Sequence, residues 1–177
     1  DGFSNAEELA AGTDPHSPAS KPTLQTGLVA WFPFDGNAND ASGNGNHGTV
    51  HGATLGTDRH GRPGKAFGFD GVDDYVLVQN APSVGQSFSL CSWIRLTRKS
   101  SMQYNHSDSA VLSNLATNVD YALNVFGPER GNKAGFLEFG GRLDSNPHWT
   151  ASGPPVDDGH WHLVSGTYDG TKKTLYM

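Results

Sequence analysis

A run of short oxygen-bearing side chains fills the stretch from Asp35 to Asn46: Asp35, Asn37, Asn39, Asp40, Ser42, Asn44 and Asn46, interleaved with Gly36, Gly43 and Gly45. Such a run has no apolar face and cannot build a core. It suits a tight loop closed by side-chain-to-backbone bonds, with glycine at the positive-φ positions. A concentration of carboxylate and amide oxygens also suits a hard cation such as calcium, for which Asp35, Asn37, Asp40 and Asn44 are the candidate ligands. The competing reading is a polar turn cluster without metal. A second acidic group, Asp70, Asp73 and Asp74, surrounds Gly71 and Val72. It offers the same two readings, and turn chemistry is the commoner one. Asp70 and Asp73 are its candidate ligands.

The N-terminus carries a third oxygen-rich pattern. In a twelve-residue calcium loop an acidic residue precedes an obligatory glycine, and a bidentate carboxylate closes the loop at its last position. With Asp1 at the fifth place, Gly2 takes the sixth, the Phe3 carbonyl the seventh, Asn5 the ninth and Glu8 the twelfth. Asp1, Asn5 and Glu8 are therefore candidate ligands. Ala6–Ala11 reads as a short helix closed near Gly12 and stopped by Asp14-Pro15. The alternative is an ordinary helix whose acidic residues favour its N-terminal dipole. From His16 to Thr26, Pro18 and Pro22 interrupt an aperiodic stretch that reads as a semi-extended linker.

The elements that must position these groups are strands. Leu28, Ala30, Phe32 and Phe34 alternate with Val29, Trp31 and Pro33, which predicts a strand covered on both faces just before the first loop. Further strands are expected at Val50–Leu55, Lys65–Asp70, Tyr75–Gln79, Ser87–Leu96, Ala110–Leu115, Tyr121–Phe126, Gly135–Gly140, from His160 onward, and at Lys173–Met177. The Gly71–Asp74 segment reads as a hairpin-like connection, and Asp169-Gly170 as a hairpin turn. In Ser87–Leu96, Phe88, Leu90, Ile94 and Leu96 share one face, while Ser89, Cys91, Trp93 and Arg95 share the other. Cys91 is the sole cysteine, so the chain cannot form an internal disulfide, and it reads as a buried small hydrophobe. The expected core includes Trp31, Phe34, Phe67, Phe69, Phe88, Leu90, Ile94 and Val164.

Quoted in order, GLVAWFPFDGNANDASGNGNHGTV, GKAFGFDGVDDYVLV, FSLCSWIRL, HWHLVSGTYDG and TLYM resemble the LamG-like jelly-roll domains. These belong to the concanavalin A-like lectin/glucanase group and are related to the pentraxins. The resemblance spans roughly Thr26 to Met177. It implies an all-β fold, a jelly-roll sandwich of two antiparallel sheets, here ending before the family's last strands. The pentraxins bridge a cysteine at the strand of Cys91 to one in the strand matching His162–Tyr168, and that partner is absent here. The opening DGFSNAEELAAGTDP resembles the calcium-binding repeats of thrombospondin type 3 and related bacterial stalks. The organisation expected is a stalk end over 1–15, a linker over 16–26 and the jelly roll over 27–177.

Several function classes fall away. A formal net charge of -6 disfavours nucleic acid and anionic membranes as partners. No apolar run is long enough to span a bilayer. Retaining glycosidases need two carboxyl groups about 5 Å apart, and the expected strand interiors offer only Glu138. His160 and His162 share a face but lack a further ligand at defined spacing. Asn105-His106-Ser107 matches a glycosylation sequon, which matters only in a eukaryotic secretory route. The polar loops carry Tyr104, His148 and Trp149, aromatics that either stack on a sugar ring or plug the edge of the sandwich. The resulting expectation is a non-catalytic module of a secreted or cell-surface protein. Its partner would be carbohydrate or extracellular protein, and calcium would be mainly structural. A purely structural spacer and an accessory domain of a glycoside hydrolase are the alternatives.

Overall fold

A computed structural model describes residues 27–79, 84, 87–97, 108–114, 121–126, 135–141, 150–152 and 154–177. Among them lie β1 (Gly48–His51), β2 (Thr54–Thr57), β3 (Pro63–Gly68), β4 (Tyr75–Val78), β5 (Phe88–Thr97), β6 (Asp108–Asn114), β7 (Tyr121–Phe126), β8 (Leu137–Gly141), β9 (Thr150–Ser152), β10 (Asp158–Tyr168) and β11 (Lys173–Tyr176). Every described ladder is antiparallel. The strands form a four-stranded sheet β6-β7-β8-β9, a three-stranded sheet β11-β10-β5, and two pairs, β1-β4 and β2-β3. The described residues are all-β, as their alternating pattern requires. The expected N-terminal helix, the stalk end and the linker lie outside the described residues.

The two larger sheets meet through their alternating apolar faces. β7 and β8 contribute Tyr121, Leu123, Val125, Leu137 and Phe139, and the facing strands contribute Leu90, Val164 and Tyr168. Val156, in the approach to β10, joins the same cluster, with Phe88, Ile94 and Leu96 packed partly buried against it. Each fully buried aliphatic or aromatic side chain is worth about 1.5–3 kcal/mol relative to exposure. Gly166 lies opposite Leu90 in the ladder, and a methyl carbon there would stand 2.5 Å from the Phe139 ring. The missing side chain is what lets the sheets approach so closely.

Several expectations need correction. Leu28–Phe34 joins no strand ladder among the described residues. Its backbone is held by side chains of the following loop, and Phe34 takes a left-handed φ of 53° that ends any extended run. Trp31 and Phe69 are not core residues, being 55% and 50% exposed. Phe34 packs edge-on against Phe67 at 5.0 Å, in a minor cluster with Phe32. Val50–Leu55 is two strands, because Gly52 adopts a φ of 74° between them. Gly71–Asp74 is not a hairpin: β3 pairs with β2, and β4 with β1. Cys91 is exposed on the outer face of β5 rather than buried, although partial burial still raises its thiol pKa.

Candidate functional site

Asp40 is the hub of the first oxygen-rich loop. Its Oδ1 accepts the Trp31 amide at 2.9 Å and the Ser42 amide at 2.8 Å. Its Oδ2 accepts the Ser42 hydroxyl at 2.8 Å and the Asn46 amide at 3.0 Å. The side chain is only 7% exposed. Burial pushes its carboxyl upward, but the bonds from Trp31, Ser42 and Asn46 together outweigh this and hold the pKa at about 2. The Asn44 and Asn46 side-chain NH2 groups donate to the Leu28 and Val29 carbonyls at 2.8–3.0 Å. These bonds occupy backbone groups that a strand neighbour would otherwise take.

The four residues expected to ligate an ion in this loop turn to separate tasks. Asp35 pairs with Lys65 on β3. Asn37 bonds within its own turn, donating to the Asp35 carbonyl and accepting from the Asn39 amide. Asn44 uses its amide NH2 on backbone carbonyls, and both Asp40 oxygens face N–H or O–H donors. A donor aimed at an oxygen occupies the lone pair that a cation would need. In this geometry the Asp40 carboxylate closes the loop through N–H and O–H donors.

Asp70, Asp73 and Asp74 do come together. Ligand oxygens of the three lie within 4.8 Å of one another at the turn between β3 and β4. Asp70 Oδ1 accepts the Val72 amide at 2.8 Å, and Asp74 Oδ2 accepts the Asp70 amide at 2.8 Å. The donor set is hard oxygen throughout, of the kind calcium takes. Asp74, which the sequence places in the cluster but not among the candidate ligands, is part of the group. Asp1, Asn5, Glu8, Tyr104, His148 and Trp149 lie outside the described residues.

Two more aspartates organise local structure. Asp58 is 8% exposed and accepts the His60 and Arg62 amides, while its other oxygen holds the Arg62 guanidinium. Burial raises its pKa and the Arg62 and His60 bonds lower it further, to about 2. Asp158 sits between His162, at 2.9 Å, and His160, at 3.4 Å. The His162 bond is the largest cause of its pKa of about 2. A register irregularity between Asp158 and Trp161 turns both histidines toward this carboxylate, so they are engaged with it rather than presented together.

The outer face of the three-stranded sheet carries a group that sequence reasoning did not single out. Trp93 is 42% exposed, and the Arg59 guanidinium lies 4.6 Å from its ring. Arg95 stands directly opposite Trp161 in the ladder and lies 5.3 Å from that ring. Alternation places Trp93 and Arg95 on one face in advance. The approach of Arg59, which comes from the turn between β2 and β3, had no local signal.

The carboxylates in described strands are Asp108, Glu138 and Asp158. Glu138 is buried in β8, and its ladder partners are Asn124 and Ala151. Asp158 belongs to the other sheet. No carboxylate therefore occupies a directly opposite or i±2 position beside Glu138 among the described residues.

An all-β module with two packed antiparallel sheets and loop-borne oxygen clusters is the class this architecture defines. Residues 70–177 match the family model described as the concanavalin A-like lectin/glucanases superfamily, of laminin G type, and the chain belongs to that family. Residues 1–18 match the bacterial TSP3 repeat. No curated protein and no solved structure matches the chain.

Proposed function

We propose that the chain is a non-catalytic binding module of a larger secreted or cell-surface protein, taking carbohydrate or extracellular protein, with calcium in a structural role. The observation that carries this reading is the display of Trp93, Leu163 and Tyr176, 42–55% exposed, on the outer face of the three-stranded sheet. Aromatic and aliphatic groups held on a rigid sheet are a recognition surface at low entropic cost. Membership of the lectin/glucanase superfamily and the adjoining TSP3 repeat support an extracellular setting. No helix among the described residues is long and apolar enough to cross a membrane. Among the described residues the ladder partners of Glu138 are Asn124 and Ala151, neither a carboxylate, which supports the non-catalytic part, since glycoside hydrolysis uses a pair.

Calcium enters through two places. The TSP3 repeat is a calcium-binding type of sequence, and Asp1, Asn5 and Glu8 are its proposed ligands. Asp70, Asp73 and Asp74 would hold a second ion, which would offset their mutual repulsion and stiffen the β3–β4 turn. A glycan array, run with and without calcium, tests the binding reading directly. Binding to a defined glycan set supports it, and retention of no glycan and no extracellular-matrix protein would leave the spacer alternative. Release of reducing sugar from a bound glycan would overturn the non-catalytic part.

A further inference from the structure

The geometry points to an anion-binding surface on the outer face of β5 and β10, built from Arg59 over Trp93 and Arg95 over Trp161, that takes an acidic polysaccharide. It deepens the carbohydrate-binding reading above by naming the charge of the glycan.

A guanidinium lying on an indole uses its face for the cation–π contact and leaves the in-plane N–H donors at its edge. The indoles thereby hold two planar forks that match carboxylate or sulfate oxygens. Trp93 and Arg95 are two residues apart on one strand and share a face, so the two stacked pairs form adjacent ranks, roughly 7 Å apart along β5. Arg59 and Arg95 are both exposed, and neither makes an ion pair among the described residues. The nearest acids in sequence are committed elsewhere: Asp58 to Arg62, and Asp158 to His160 and His162. The one carboxylate in β5, β10 and β11 is Asp158, opposite Thr97 at the start of β10, and it is bonded to His162. A locally positive, donor-rich surface on a chain of net charge -6 selects an anionic occupant against the charge of the whole.

The test is calorimetric titration of the whole chain with dextran sulfate and with polygalacturonate, using uncharged dextran as the control. Both polyanions should bind, more weakly as sodium chloride rises, and dextran should not. Arg59→Ala with Arg95→Ala should weaken binding by about tenfold or more, as expected for loss of charge-assisted bonds. Lys172→Ala removes one positive charge on the β10–β11 turn, half that of the arginine pair, and should leave binding unchanged. Arg59→Lys with Arg95→Lys keeps both charges and should still lose affinity, because lysine neither forks nor stacks in the same way; this pair carries the test if the alanine pair melts differently from the parent. Binding of sulfate alone or of uronate alone would identify which anion the forks take and would support the site. Equal binding by parent and alanine pair, or equal loss in Lys172→Ala, would overturn it. Binding of neutral glycans without either polyanion would overturn this inference and leave the carbohydrate reading standing, whereas binding of no glycan at all would overturn both.

Discussion

The Asp40 carboxylate accepts the backbone amide of Trp31 at 2.9 Å, tying the start of the loop to its middle across nine residues. The same side chain collects Ser42 and Asn46, and with the Asn44 and Asn46 side chains it holds Leu28–Phe34, which joins no ladder among the described residues. Asp40→Ala leaves several backbone amides without an acceptor. It should cost about 2–4 kcal/mol, the range for breaking a buried charged hydrogen-bond network. Urea unfolding monitored by tryptophan fluorescence measures this, and a change below about 0.5 kcal/mol, the level of an ordinary surface substitution, would show the loop to be independent of Asp40.

The same carboxylate makes stability depend on pH. Folded Asp40 takes a proton only near pH 2, against an ordinary value of 3.8. Between these values the unfolded chain binds more protons, so stability falls as pH drops, most steeply from about pH 4 to pH 2. Asp58 and Asp158, also held at about 2, act in the same direction. Asp40→Asn should show a shallower acid slope than the parent in melts taken from pH 6 to pH 2. An identical slope would mean that Asp40 is not the group that titrates.

At the centre of the sandwich, Gly166→Ala should be destabilising by about 1–3 kcal/mol, the usual cost of overpacking. The reason is the 2.5 Å approach that its methyl would make to the Phe139 ring. Phe139→Leu costs stability alone but should recover part of it in the Gly166→Ala background, giving a favourable coupling in the double-mutant cycle. Strict additivity would place the strain elsewhere.

For calcium, the expected outcome is a rise in melting temperature at millimolar ion that shrinks in Asp73→Asn and in Asp74→Asn, whose oxygens join the group at the β3–β4 turn. Asp40→Asn should lower the melting temperature yet keep the calcium increment, since its oxygens already face protein donors. An increment that vanishes in Asp40→Asn and persists in the turn variants would move the ion to the first loop.

Much of the fold was legible in the chain, and what was missed has physical causes. Phe88, Leu90, Ile94 and Leu96 against Cys91, Trp93 and Arg95 is a period of two, a local property of the extended backbone that any strand with one dry face must show. Tyr121–Phe126 was placed to the residue for the same reason. Leu28–Phe34 has that period too, yet alternation says nothing about whether a neighbouring strand exists to pair with it. Asp35, Asn37, Asp40 and Asn44 announced a loop dense in oxygen, because short polar side chains admit no core. Whether those oxygens turn toward an ion or toward N–H groups depends on where the Trp31 amide and the Val29 carbonyl lie, and that is a matter of three-dimensional arrangement. Sequence alone determined the all-β class, the strand faces and the positions of the acidic clusters, since these follow from residue type and spacing along one chain. Only the tertiary structure decided that Asp70, Asp73 and Asp74 converge, that Gly166 receives the Phe139 ring, and that Arg59 reaches Trp93. The last two are contacts between residues far apart in the chain, and no local preference encodes a distance across a sheet.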